Sequence, residues 1–77
     1  MSILVQYLGI LVESTGVSEE SVEKTGKKSQ IIEFLFGRHP ELQGLNFVVS
    51  LNGVIIHGET ELKSGDRITL IPPAPGG

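Results

Sequence analysis

No cysteine occurs among the 77 residues. That absence excludes disulfides, thiolate metal sites and cysteine nucleophiles together. Any sulfur the protein handles must therefore be supplied from elsewhere. Tryptophan is also absent, and the remaining aromatics are three Phe and one Tyr. They are scattered and offer no platform on which nucleic-acid bases could stack. Basic charge is sparse: six Lys and Arg stand against nine Asp and Glu, a net charge of -3. Only Lys27 and Lys28 are adjacent, so neutralisation of a phosphate backbone, and with it a nucleic-acid partner, is not expected. No apolar run approaches the length that spans a bilayer, and no basic segment followed by an apolar one opens the chain. The expectation is a soluble cytoplasmic protein that starts at Met1 and has no membrane partner. No glycine-rich loop followed by Lys is present to cradle phosphates, so any ATP chemistry must belong to another protein.

The residues that are present suit one small domain with a limited core. Ile3-Leu4-Val5-Gln6-Tyr7-Leu8 is apolar, β-branched and aromatic, and reads as a strand. Gly9 argues for its exit. Ser14 to Ser18 reads as a loop by its turn residues. Glu20 to Lys24 is a weaker strand whose single apolar residue, Val22, assigns it to a sheet edge. From Lys27 to Arg38 the period changes. Ile31, Ile32, Leu35 and Phe36 fall on one helical face, with Ser29 or Thr25 as the cap and Gly37 and Pro40 at the stop. Asn46 to Asn52 alternates, with Phe47, Val49 and Leu51 on one face and Val48 and Ser50 on the other. Asn52-Gly53 predicts a two-residue hairpin turn, because both positions need positive φ. Val54 to His57 is its return strand, and Leu62 to Asp66 makes a tight turn. Arg67 to Ile71 is the last strand, with Ile68 and Leu70 facing one way and Thr69 and Ile71 the other. The order predicts an α+β domain, a mixed sheet of about four to five strands with one main helix on one face. The opposite face is left open for an interface.

The isolated polar candidates read as structural. His39 and His57 lie on separate elements without metal-ligand spacing, so no bound metal or cofactor is expected. Glu19-Glu20 reads as a solvated loop charge pair and Asp66 as a turn residue. The chain then closes on Pro72-Pro73-Ala74-Pro75-Gly76-Gly77. Proline stiffens the backbone toward an extended form, and glycine is slim enough to enter a narrow channel. Chain ends are also commonly frayed, and Pro and Gly are common there. Residues 1–71 form the predicted domain and residues 72–77 an extended tail.

The pattern resembles the β-grasp of ubiquitin-like proteins, and within it the sulfur-carrier branch of MoaD and ThiS type. Val5-x-Tyr7-Leu8-Gly9-x-Leu11-x-Glu13-x-Thr15-Gly16 follows the MoaD-type opening. Ile31-Ile32-Glu33-x-Leu35 with His39-Pro40-Glu41-Leu42 follows the helix and its exit, and Val49-x-Leu51-Asn52-Gly53 the central hairpin. Leu62-x-x-Gly65-Asp66 leads to Ile71-Pro72-Pro73-x-x-Gly76-Gly77, the most specific segment, in which Pro-Pro favours the MoaD type. Val12, Lys28 and Pro75 depart from the usual Arg, apolar and small residues. Pro75 lacks a backbone donor that a partner's channel could use.

The resemblance implies a carrier and co-substrate rather than an enzyme. It implies that an adenylating enzyme of the MoeB/ThiF type uses ATP to activate the Gly77 carboxylate, which then becomes a thiocarboxylate. Gly76 would allow the close approach. The sulfur would go to a precursor held by a larger subunit, that of molybdopterin synthase, in molybdenum cofactor biosynthesis. Leu8, Ile55 and Ile71 match positions of the family's apolar contact patch. Thiamine or tRNA thiolation, conjugation of Gly77 to a lysine, and a pure interaction domain are the alternatives.

Overall fold

The computed structural model describes residues 2–73. Alternation in the sequence becomes alternation in space. In β1 (Ile3–Tyr7), Ile3, Val5 and Tyr7 are buried while Leu4 and Gln6 are half-buried on the other face. A six-residue helix α1 (Ile10–Thr15) follows, then the strand β2 (Glu19–Val22). A short strand β3 (Gly26–Lys27) leads into the main helix α2 (Lys28–Arg38) and a 3₁₀ turn over Pro40–Gly44. The chain then forms β4 (Val48–Leu51), β5 (Val54–Ile56), β6 (Glu61–Leu62) and β7 (Arg67–Ile71).

Five strands join in the order β2-β1-β7-β4-β5, and β3 pairs with β6 in a separate two-stranded ladder. The central pair β1 and β7 is parallel and the remaining pairs are antiparallel. This is the mixed-sheet, one-main-helix α+β architecture of the β-grasp. Ile31 and Leu35 of α2 pack with Ile3, Val5, Tyr7, Ile68 and Leu70 of the sheet in one hydrophobic core. Leu11, Leu42 and Leu62 seal that core from α1, the 3₁₀ turn and β6. The Asn52-Gly53 turn takes φ of 49° and 92°, the two positive values that its sequence demands.

Three expectations need correction. The stretch read as a loop from Ser14 is helical through Thr15. Its residues are poor helix formers, but Leu11 is fully buried and Gly16, at φ 80°, closes the helix with a bond to the Val12 carbonyl. The helix start is not capped by a Ser29 or Thr25 side chain. Instead the Glu59 carboxylate, from the distant β5–β6 segment, accepts from both the Ser29 amide and the Ser29 hydroxyl. Gln30 Oε1 accepts from the Lys27 amide. The edge strand ends at Val22 rather than Lys24, because Val22 is its last residue paired to β1.

Candidate functional site

The open face of the sheet is set by register. Gln6, Thr69, Ser50 and Ile55 stand in one row across β1, β7, β4 and β5. The Thr69 hydroxyl donates to Gln6 Oε1 at 3.1 Å, so the middle of this face is polar and internally bonded. One step toward the C-terminal end of β7 the character changes. Ile71 pairs with Val48. Leu8, one residue past β1, continues the alternation of Leu4 and Gln6, and its amide bonds the Leu70 carbonyl. Leu8 is 46% exposed, Val48 42% and Ile55 43%, while Ile71 is half-buried.

Leu8 and Ile71 each lie one residue beyond the paired Tyr7 and Leu70, Val48 is paired to Ile71, and Ile55 is paired to Ser50. Val48 extends the patch beyond the three residues matched by resemblance. Its signal in the sequence is the strand alternation that places it opposite Phe47. Folding leaves Leu8, Val48 and Ile55 with more than two-fifths of their surface in water and Ile71 half-buried.

The tail root has its own geometry. Gly9 has φ 56° and ψ -133°, a conformation suited to glycine, and Pro72 lies against it. Pro72 is half-buried and Pro73 exposed. Ala74, Pro75, Gly76 and Gly77 lie outside the described residues.

The polar candidates fall elsewhere. Glu20 is not the solvated charge that its sequence neighbourhood predicts. It projects from the edge strand toward the core side and is reached by three donors. The Tyr7 hydroxyl and His39 Nε2 bond one oxygen at 2.5 and 2.6 Å, and Arg38 bonds the other at 2.7 Å. Burial works to raise its pKa, but the bonds from Tyr7, Arg38 and His39 outweigh it and hold the carboxyl below its ordinary value. Burial, reinforced by the Glu20 bond, pushes the Tyr7 phenol well up. The Tyr7 and His39 rings meet edge to face at 5.8 Å. This network ties the edge strand to the end of α2, so His39 has the structural role read for it.

Asp66 is likewise a turn residue, accepting from the Lys63 amide at 2.8 Å and from Asn52 at 3.1 Å. The Lys63 amide bond, then the Asn52 side chain, lower its pKa. Among the described residues no group of three His, Asp or Glu is placed to hold a metal ion. Nor is any helix among them long and apolar enough to cross a membrane. An open groove of about 510 Å³ lies between α2 and the β4–β5 hairpin, over Ile32, Phe36, Phe47 and Ile56. The Ser29 hydroxyl at its rim donates to the Glu59 carboxylate.

Comparison with known proteins gives the family and the fold. Residues 5–77 match the model of the ThiS family. A chain of the BexX/CysO complex from Amycolatopsis orientalis is 30% identical, with TM-score 0.76, 97% of this chain covered and 99% of that one. A chain in the complex of subunits 1 and 2 of molybdopterin-converting factor from Helicobacter pylori is 25% identical, with TM-score 0.75 and both chains fully covered. Small archaeal modifier protein 1 from Methanosarcina acetivorans shares the fold at TM-score 0.86 and 24% identity, with 99% of this chain and 96% of that one covered. No curated protein sequence matches the chain.

Proposed function

The chain belongs to the ThiS family of ubiquitin-like sulfur carriers, and from that premise we propose that Gly77 carries sulfur as a thiocarboxylate. The observation that carries the reading is the family match running through residue 77. It takes in Pro72-Pro73 and Gly76-Gly77 directly after β7.

A terminal carboxylate has a pKa of about 3.5 and is ionised at neutral pH, which makes it a poor electrophile. Activation supplies what is missing. The Gly77 carboxylate oxygen attacks the α-phosphorus of ATP in a partner of the MoeB/ThiF type, and pyrophosphate leaves. Sulfide (HS⁻) then attacks the acyl carbon and expels AMP, leaving the thiocarboxylate and releasing a proton. The domain itself is a carrier and co-substrate. Gly76 gives the tip a narrow profile, Pro72 and Pro73 stiffen its base, and Pro75 removes one donor from the stalk. Leu8, Ile55 and Ile71, with Val48, form the surface on which the activating enzyme and the acceptor subunit dock.

The proposed acceptor is the precursor of molybdopterin, held by the large subunit of the synthase in the cytoplasm. Pro72-Pro73 and the likeness to the Helicobacter pylori chain support it. The test is reconstitution with ATP and a MoeB/ThiF-type enzyme. Pyrophosphate release that requires Gly77, followed by sulfur transfer in the presence of the large subunit, is expected. An isopeptide bond from Gly77 to lysine, with no sulfur transfer, would replace the carrier reading with a modifier reading.

A further inference from the structure

Pro72, at the root of the tail, makes a close approach to Gly9. A methyl group placed on Gly9 would stand 3.1 Å from Pro72 Cγ. Nine in ten real contacts of that kind are looser, so one of the two must give. The backbone of Gly9 is independently demanding, because a φ of 56° with a ψ of -133° is strained for any L side chain. Two separate constraints thus converge on one residue.

The surroundings leave Gly9 little room to shift. The Leu8 amide before it is bonded to the Leu70 carbonyl at 3.2 Å, which ties it to β7. The Gly9 carbonyl accepts the Val12 amide at 3.1 Å, which ties it to α1. Leu11, two residues on, is fully buried. Gly9 is held from both sides while Pro72, the first residue after β7, rests on its bare Cα.

We propose that Gly9 is a positioning residue for the root of the tail: by lacking a side chain it seats the Pro72 ring and so sets the direction in which the chain leaves β7. The inference rests on the carrier reading above for its consequence, but the seat itself does not depend on that reading. Its logic is directional. A proline has a fixed φ, so a ring seated against a rigid backbone defines the heading of the residues after it. Leu8 and Ile71 of the proposed docking patch are the chain neighbours of Gly9 and Pro72, and Val48 is paired to Ile71. A partner that grips the patch therefore meets the root of the tail, Pro72 and Pro73, at a fixed place. If Pro72 is displaced, the patch still binds but the tail starts from a shifted root. Misplacement of a reacting group by about an ångström can cost up to about a hundredfold in rate.

Two experiments decide it. The chain has no cysteine and Pro73 is exposed, so Pro73→Cys provides a unique point for a nitroxide label beside Pro72. In the native background the label is expected to broaden the amides of residues 8–12 selectively. Adding Gly9→Ala should redistribute that broadening while the cross-peaks of the β1–β7 pairing persist. An unchanged pattern in a folded Gly9→Ala protein would overturn the proposal whether or not the protein carries sulfur. In the adenylation assay, Gly9→Ala should lower kcat about tenfold with KM nearly unchanged. A role in stability alone would lower the melting temperature and leave kcat intact below it. Pro72→Ala removes the ring that Gly9 seats, so Gly9→Ala added to it should cost little more in kcat. Fully additive losses would mean that Gly9 does not act through Pro72. Native protein that is never adenylated would refute the carrier reading and not the seat, which the label reads directly.

Discussion

The two faces of the sheet are built from the same kinds of residue and spend them differently. Toward α2, Val5, Ile68 and Leu70 are fully buried. Away from it, Leu8, Val48 and Ile55 keep more than two-fifths of their surface in water. The first set gives its whole apolar area to folding and the second only part of it, although both sets are aliphatic. The strand β7 shows the contrast within five residues: Ile68 and Leu70 lock the core, and Ile71, next to the tail, looks outward. One strand thus both anchors the domain and leads to the tail. The difference teaches that the open-face aliphatics can be changed at less cost to the fold than those of the covered face.

The largest effect should come from the covered face. Leu35→Ala removes a fully buried side chain from α2 and is expected to cost about 3 kcal/mol in chemical denaturation. A loss below about 1 kcal/mol would mean that the helix contributes little to the core. Next comes the edge-strand clamp. Glu20→Ala leaves Tyr7 and His39 without their acceptor and should cost about 2 kcal/mol at neutral pH. Its pH dependence has a fixed sign. The folded Glu20 pKa lies below the unfolded one, so its contribution is complete above the ordinary carboxylate range of about 4.3. That contribution is lost as pH falls through the depressed folded value. The stability gap between native protein and Glu20→Gln should therefore close in acid, and a gap that widens there would contradict the network.

The open face should behave in the opposite way. Ile71→Asp is expected to cost about 1 kcal/mol of stability but about 2 kcal/mol of partner binding, roughly thirtyfold in affinity. Ile55→Asp, on the more exposed position, should separate the two further. Equal losses in folding and binding would put these residues in the core and erase the contrast. The smallest effect on the fold should come from the tail. Deleting Gly76 and Gly77 is expected to change stability by less than about 0.5 kcal/mol while abolishing activation. Loss of cooperative unfolding in that truncation would show that the tail belongs to the domain.

Much of this contrast is legible in the chain itself, for physical reasons. The helix from residue 28 to 38, the Asn52-Gly53 turn and the faces of β7 follow from periodicity and positive φ, which are local signals. The features that sequence reading misses depend on distant partners. The helix at Ile10–Thr15 has β-branched and hydroxyl residues that argue against it, and burial of Leu11, packing of Val12 against the core and the closing Gly16 sustain it. Glu20 sits beside Glu19 in sequence, and nothing local says that Tyr7, Arg38 and His39 will converge on one of the pair. The β3–β6 ladder is two residues wide and carries no periodicity at all. At the candidate site, Leu8, Ile55 and Ile71 are legible through family resemblance, and Val48 through alternation. The seat that Gly9 makes for Pro72 joins the first strand exit to the last, and the sequence shows it only as a glycine after β1.

The most direct test of the central claim is the intact mass of the C-terminal peptide from protein isolated from its native cells. The account predicts the mass gain of one oxygen exchanged for sulfur, confined to Gly77 and trapped by a thiol-alkylating reagent, since oxidation adds nearly the same mass. A free carboxylate that stays unmodified with ATP and the cognate activating enzyme supplied would contradict it.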